Sequence, residues 1–134
     1  MCVVRPVHLM RKLLTCGANR LGQLGLGDVD DGRQALALTS LPGGAVASQV
    51  ACGREHTWVL CEGGRLFSCG SNTDGQLSRT GDGSTLQAVD LSELDGAMAS
   101  QVACGSLHTW VLCTDGRLLS CGGNAHGQLG LVRI

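Results

Sequence analysis

The chain has 134 residues and a formal charge of −1, with ten basic and eleven acidic residues, 21 glycines, two prolines and no tyrosine. That length suits one ordinary domain, and the balanced charge, free of any like-charge block, excludes an electrostatic footprint for nucleic acid or an anionic membrane. No apolar run approaches the ~18 residues of a membrane span, and Met1 to Leu14 lacks the uninterrupted apolar core of a secretory signal, so a cytoplasmic or nuclear protein with reduced thiols is expected.

Residues 1 to 12 match nothing later in the chain and are read as a non-repeat N-terminal segment, in which His8 has no assignable role. At Leu13 the repeat begins in mid-unit. Leu13-Leu14-Thr15-Cys16-Gly17 parallels Leu66-Phe67-Ser68-Cys69-Gly70, and Gly22-Gln23-Leu24 parallels Gly75-Gln76-Leu77. A variable connector, Gly27 to Gly44, follows; Asp28, Asp30, Asp31 and Gly32 make a polar turn in it and Ala35 to Leu41 a short apolar piece. The carboxylate pattern is not that of a calcium loop.

The stretch from Gly44 to Leu77 then returns almost letter for letter at Gly96 to Leu129, and Cys52, His56 and Gln76 recur 52 residues later as Cys104, His108 and Gln128. The chain divides on this basis into a partial unit 13–43, a full unit 44–95 and a truncated unit 96–134. Repetition at such a period marks an array of supersecondary units that bury their apolar faces only by stacking on one another.

Within a unit the pattern predicts strands over Val50 to Cys52, Thr57 to Cys61 and Arg65 to Cys69, each bounded by Gly or polar residues. Glu62-Gly63-Gly64 and Thr114-Asp115-Gly116 stand where a hairpin turn is needed. On the middle strand Trp58 and Leu60 face one way, and Thr57, Val59 and Cys61 the other. Both faces are largely apolar, so both must be covered, and radial stacking of small sheets achieves that. The expected fold class is all-β: a partial β-propeller of four-stranded antiparallel blades, an open arc whose end faces leave self-association possible.

The motif Val-Ala-Cys-Gly-x-x-His-Thr, a hairpin, and Cys-Gly-x-Asn-x-x-Gly-Gln-Leu resembles the repeat of the regulator of chromosome condensation family, a seven-bladed β-propeller. Gly105 to Thr109 and Cys121 to Gly130 fit it throughout, and the full unit fits with Ser78 where Gly is expected and Trp58 after His-Thr. The resemblance implies a protein-interaction module. One role it implies is regulation of a small GTPase by guanine-nucleotide exchange; the alternative is a generic scaffold, or a piece of a larger repeat protein such as the substrate-side domain of a ubiquitin ligase.

Catalytic, metal and cofactor sites are not expected. Cys52 and His56 lack the paired Cys elements of structural zinc sites, no phosphate-binding loop is present, and the Ser, Thr and His residues recur with the repeat as scaffolding does. The cysteines are read as small core residues. Gly53, His56, Thr57, Gly70, Asn72, Gly75 and Gln76, with their counterparts Gly105, His108, Thr109, Gly122, Asn124, Gly127 and Gln128, are assigned structural roles. The glycines before Gln-Leu need conformations open to glycine, the Gln and Asn side chains bond the turn, and Leu24, Leu77 and Leu129 plug between blades. Partner contact is assigned to positions where the copies disagree, namely Arg54, Glu55, Asp74 and His126.

Overall fold

The computed structural model describes residues 3–7, 12–31 and 33–130. Cys2 and His8 lie outside them. Ten strands are present among the described residues: β1 (Val3–Val7), β2 (Lys12–Gly17), β3 (Arg33–Ser40), β4 (Ala47–Cys52), β5 (His56–Cys61), β6 (Leu66–Gly70), β7 (Gln87–Ala88), β8 (Ala99–Cys104), β9 (His108–Cys113) and β10 (Leu118–Gly122). They form three antiparallel meanders, β1-β2-β3, β4-β5-β6-β7 and β8-β9-β10, called here blades 1, 2 and 3.

Short, largely apolar runs make β5 and β6, buried along their whole length, and glycines make the corners. Gly63 and Gly64 lie at φ 81° and 77° in the β5–β6 hairpin, and Gly116 at φ 88° in its repeat. β4 and β8 begin at Ala47 and Ala99, each with a bulge before Gln49 or Gln101. The hydroxyls of Ser48 and Ser100 donate there to the carbonyls of Leu60 and Leu112, each at 3.1 Å.

The Leu86 to Leu91 connector supplies the fourth strand of blade 2, with Phe67 opposite Ala88 and Ser68 opposite Gln87. The apolar piece of the first connector likewise becomes β3, paired with β2. Val3–Val7, which the sequence leaves outside the repeat motif, forms a strand. It pairs with β2, Val3 opposite Cys16 and Pro6 opposite Leu13, as β5 pairs with β6. Leu13 therefore marks where the repeat motif starts, while the blade itself starts earlier; a strand needs only a partner edge and extended backbone, not the Gly-x-x-His-Thr letters.

Both faces of blade 2 are covered. Val59, Cys61, Phe67 and Cys69 cluster with Leu13 of blade 1 and with Leu41 and Leu86. On the other side Trp58, Leu60 and Leu66 cluster with Ala99, Val102 and Val111 of blade 3. At about 25 cal/mol per Å² of apolar surface removed from water, burial at these two seams favours stacking of the blades. The outward face of blade 3 is more open, with Leu118 56% exposed.

Candidate functional site

Each seam is closed by the same polar set. Asn19, Asn72 and Asn124 accept through Oδ1 from the amides of Leu24, Leu77 and Leu129 at 2.9 to 3.0 Å. Gln23, Gln76 and Gln128 accept through Oε1 from Leu21, Asp74 and His126 at 2.8 to 3.1 Å. Gly75 and Gly127, at φ 79° and 73°, allow the turn; a Cβ at either would meet nothing within 4 Å, so backbone conformation alone selects glycine there. The three leucines are buried.

The turn thus held aims one main-chain carbonyl into the seam. The Gln23 carbonyl accepts from Thr57 Oγ1 at 2.7 Å and Cys69 Sγ at 3.4 Å, both on the next blade. The Gln76 carbonyl accepts from Thr109 Oγ1 at 3.4 Å and Cys121 Sγ at 3.5 Å of blade 3, and from Trp58 Nε1 of its own blade at 2.9 Å. Trp110 repeats that bond to the Gln128 carbonyl at 3.1 Å. The tryptophan that departs from the repeat motif therefore pins the seam carbonyl as well as filling space.

His56 crosses the same seam, its Nε2 lying 3.0 Å from Thr109 Oγ1. That hydroxyl has one proton and points it at Gln76, so Nε2 carries the hydrogen and donates to threonine. Burial pushes the imidazole down to about 4, with the His108 charge acting in the same direction and a backbone bond at His108 opposing. Nδ1 is buried without a partner. The sequence assigned this histidine a structural role without a partner; the partner belongs to the next blade. His108 occupies the same point of blade 3, half-buried, with no threonine of a following blade among the described residues.

The glycines of Gly-x-x-His make room for the ring. A Cβ on Gly53 would lie 2.1 Å from His56 Cε1, and one on Gly105 2.0 Å from His108 Cε1. Gly70 and Gly122, at φ 106° and 107°, back onto the carbonyls of Glu55 and Leu107, where a Cβ would lie 2.3 and 2.4 Å away.

The seven described cysteines are free thiols. Burial raises Cys69 and Cys104 to about 12 and Cys121 to about 11, far from the range of a reactive thiolate. Among the described residues no group of three His, Cys, Asp or Glu side chains could hold a metal ion, and no helix is long and apolar enough to cross a membrane.

The variable positions gather on one rim above the seams. Arg20 Nη2 meets Glu55 Oε1 at 2.9 Å, joining the turn of blade 1 to the loop of blade 2; this bond holds the guanidinium above its ordinary value. The Arg54 amide donates to the Ser106 carbonyl at 3.0 Å, so the loops of blades 2 and 3 touch. A Cβ on Gly123 would lie 3.4 Å from Leu107 Cβ and 3.9 Å from Asp74 Cβ, which places Asp74 beside the loop of blade 3. Arg54, Asp74 and His126 are exposed, whereas Glu55 is partly engaged. His126 lies one turn further along, at the blade 3 counterpart of Asp74. Sequence reasoning missed Arg20 and Leu21, although they occupy the same variable slots as Thr73-Asp74.

It missed a second coupling too. Gln49 on β4 donates through Nε2 to the Val102 carbonyl at 3.0 Å and accepts through Oε1 from the Val102 amide at 3.1 Å, a side-chain amide serving as one rung between blades. Its recurrence as Gln101, which is exposed, was the available signal.

Repeated meanders with polar seams and a variable rim define a segment of a β-propeller. Two family models of the Regulator of chromosome condensation (RCC1) repeat match, one over residues 12–60 and 63–112 and the other over 47–76 and 99–128. The chain belongs to that repeat family. It is 38% identical over 130 residues to the secretion-regulating guanine nucleotide exchange factor of Mus musculus, covering 97% of this chain and 28% of the mouse protein. It is 34% identical over 122 residues to the probable E3 ubiquitin-protein ligase HERC6 of Homo sapiens, covering 90% of this chain and 12% of that one. The structure superposes on Prp20p of Saccharomyces cerevisiae with a TM-score of 0.81 at 25% identity, over 92% of this chain and 32% of Prp20p, a protein described with its binding to Gsp1p and histones. The chain thus spans less than a third of each protein.

Proposed function

We propose that this chain is a protein-interaction module that binds through its variable rim and regulates a small GTPase by guanine-nucleotide exchange. The observation that carries the reading is the division of labour between seam and rim. The recurring His and Thr side chains bond from blade to blade and the recurring Gln, Asn and Trp side chains hold the turn that offers the seam carbonyl, whereas Arg20, Arg54, Glu55, Asp74 and Leu107, which do not recur, converge on one edge. A rigid scaffold with non-repeating loops is how binding specificity is mounted.

Exchange needs no covalent chemistry. A protein that binds the nucleotide-free GTPase more tightly than the loaded form shifts the equilibrium toward release, and this reading makes the chain a binding protein, not an enzyme with its own acid–base or nucleophilic group. The name of the mouse relative supports the exchange role. The likeness to HERC6 supports the scaffold reading, in which the same rim holds a partner without exchange.

The test is release of a fluorescent guanine nucleotide from a panel of small GTPases, with binding measured in parallel. Acceleration by the chain, reduced by Arg54→Glu and Asp74→Lys together, is the expected result. Binding that depends on the rim charges without faster release would leave the interaction module and remove exchange. Indifference of every partner to those charges would overturn the rim as the contact surface.

A further inference from the structure

An aspartate followed by glycine can rearrange without an enzyme, because a residue with no Cβ leaves its amide nitrogen open to the neighbouring carboxyl. Five such pairs occur here: Asp31-Gly32, Asp74-Gly75, Asp82-Gly83, Asp95-Gly96 and Asp115-Gly116. The fold ties them down unequally. Asp82 accepts from Ser84 Oγ at 2.6 Å and from the Ser84 amide at 2.8 Å. Asp115 accepts from the Arg117 amide at 3.0 Å and from Arg117 Nε at 2.6 Å, and the Gly116 amide is itself engaged with the Cys113 carbonyl at 3.0 Å. The Ser84 hydroxyl holds the Asp82 carboxyl, and the Arg117 amide the Asp115 carboxyl, below the ordinary value and so in the unreactive ionised form. Asp74 accepts from Thr73 Oγ1 at 3.3 Å, while the Gly75 amide donates to the Asn72 carbonyl at 3.1 Å. Asp31 accepts from the Asn19 amide at 2.8 Å, and Gly32 lies outside the described residues.

Asp95 and Gly96 are both exposed, and among the described residues neither the Asp95 carboxylate nor the Gly96 amide has a hydrogen-bond partner. One turn bond spans the pair, from the Ala97 amide to the Leu94 carbonyl at 2.9 Å. Asp95 lies at φ 50° and ψ 40°, left-handed backbone that costs a non-glycine residue free energy. A Cβ at Gly96 would meet nothing within 4 Å, so no neighbour confines the turn there. Rotation of Asp95 toward the Gly96 nitrogen therefore breaks a single hydrogen bond and relieves strain. At Asp82 or Asp115 the same rotation must first release a carboxylate held twice.

We propose that Asp95-Gly96 is a modification site at which the folded protein converts to isoaspartate ahead of its other Asp-Gly pairs. The Gly96 nitrogen gives up its proton to water and attacks the carbon of the protonated Asp95 carboxyl. A C–N bond forms, and the carboxyl hydroxyl leaves with a proton as water, closing a five-membered imide. Water then adds to the main-chain carbonyl of that ring and breaks its bond to nitrogen. The backbone now runs through the side-chain carboxyl, one methylene longer, and carries a free α-carboxylate that a methyltransferase specific for isoaspartate can esterify. Because the turn leads from the fourth strand of blade 2 into β8, the connection between blades 2 and 3 is where this protein is altered first.

The test is incubation of the native 134-residue chain for weeks at neutral pH, followed by labelling with that methyltransferase and peptide mapping by mass spectrometry. Isoaspartate should accumulate at Asp95 about tenfold or more faster than at Asp82 or Asp115, the factor that one hydrogen bond to a charged group contributes. In chain unfolded by guanidinium the rates at these pairs should converge. Asp95→Gly, which suits the left-handed angle, should remove the main signal. Ser84→Ala, which deletes the hydroxyl bond to Asp82, should raise the rate at Asp82 and leave Asp95 unchanged. Another pair leading Asp95 in the native protein, the same ranking in the unfolded chain, no isoaspartate at any site, or no response of Asp82 to Ser84→Ala would overturn the proposal.

Discussion

Removing the Thr109 hydroxyl tests the seam at its most connected atom. Thr109 is fully buried, and its Oγ1 accepts from His56 Nε2 at 3.0 Å and donates to the Gln76 carbonyl at 3.4 Å. Thr109→Val keeps the shape and deletes both bonds, together with the 3.7 Å contact between its hydroxyl and Cys104 Sγ. The Gln76 carbonyl retains Trp58 and Cys121, but His56 is left with neither ring nitrogen paired, since Nδ1 has no partner to begin with. Leaving a buried donor unsatisfied costs about 1–3 kcal/mol, against about 1 kcal/mol for a neutral bond lost from a carbonyl that keeps another partner. The expected destabilisation is therefore about 2–3 kcal/mol. Thr57→Val is the matched control: it deletes a shorter bond, 2.7 Å to the Gln23 carbonyl, but strands no histidine, so about 1 kcal/mol is expected. Urea unfolding followed by Trp58 and Trp110 fluorescence compares the two through the midpoint at constant slope. Equal losses, or a larger loss for Thr57→Val, would refute the claim that the histidine bond closes the seam.

Four further outcomes follow from the same geometry. Stability should fall with pH from about 6.5 toward about 4: the folded His56 titrates near 4 against an ordinary 6.5, the unfolded chain binds the extra proton across that window, and the histidine's contribution is complete only above it; a His56→Gln variant should show a flatter profile. Gly53→Ala should cost well over the ~1 kcal/mol expected for Gly75→Ala, because one Cβ strikes the His56 ring while the other meets open space; equal midpoints would sink the steric account. Ser78 lies at φ 50° where its counterparts Gly25 and Gly130 lie at 67° and 63°, so Ser78→Gly should stabilise by about 0.5–1 kcal/mol in thermal unfolding. In native protein Cys69 should resist a thiol-alkylating reagent over hours, and all eight cysteines should be modified after unfolding without a reductant, as mass spectrometry would report; a protected pair would reveal a disulfide.

The repeat, the strands, the hairpin glycines and the two-sided burial of the Thr57 strand were legible in the letters, because each depends on periodicity or on a backbone angle within a few residues. The turn bonds of Asn72 and Gln76 span two to five residues and were legible for the same reason. Val3–Val7 was not, since its identity as a strand comes from the edge of β2 rather than from a motif. Nor could the letters assign His56 to Thr109, Gln49 to Val102 or Arg20 to Glu55, partners 53, 53 and 35 residues apart. A single sequence carries the donors and acceptors of such pairs but not the stacking angle that chooses among them. The 52-residue period tells that one blade follows another; only the packed seam decides that the histidine of one reaches the threonine of the next, and that Arg20 meets Glu55 and Arg54 meets Ser106 across neighbouring blades.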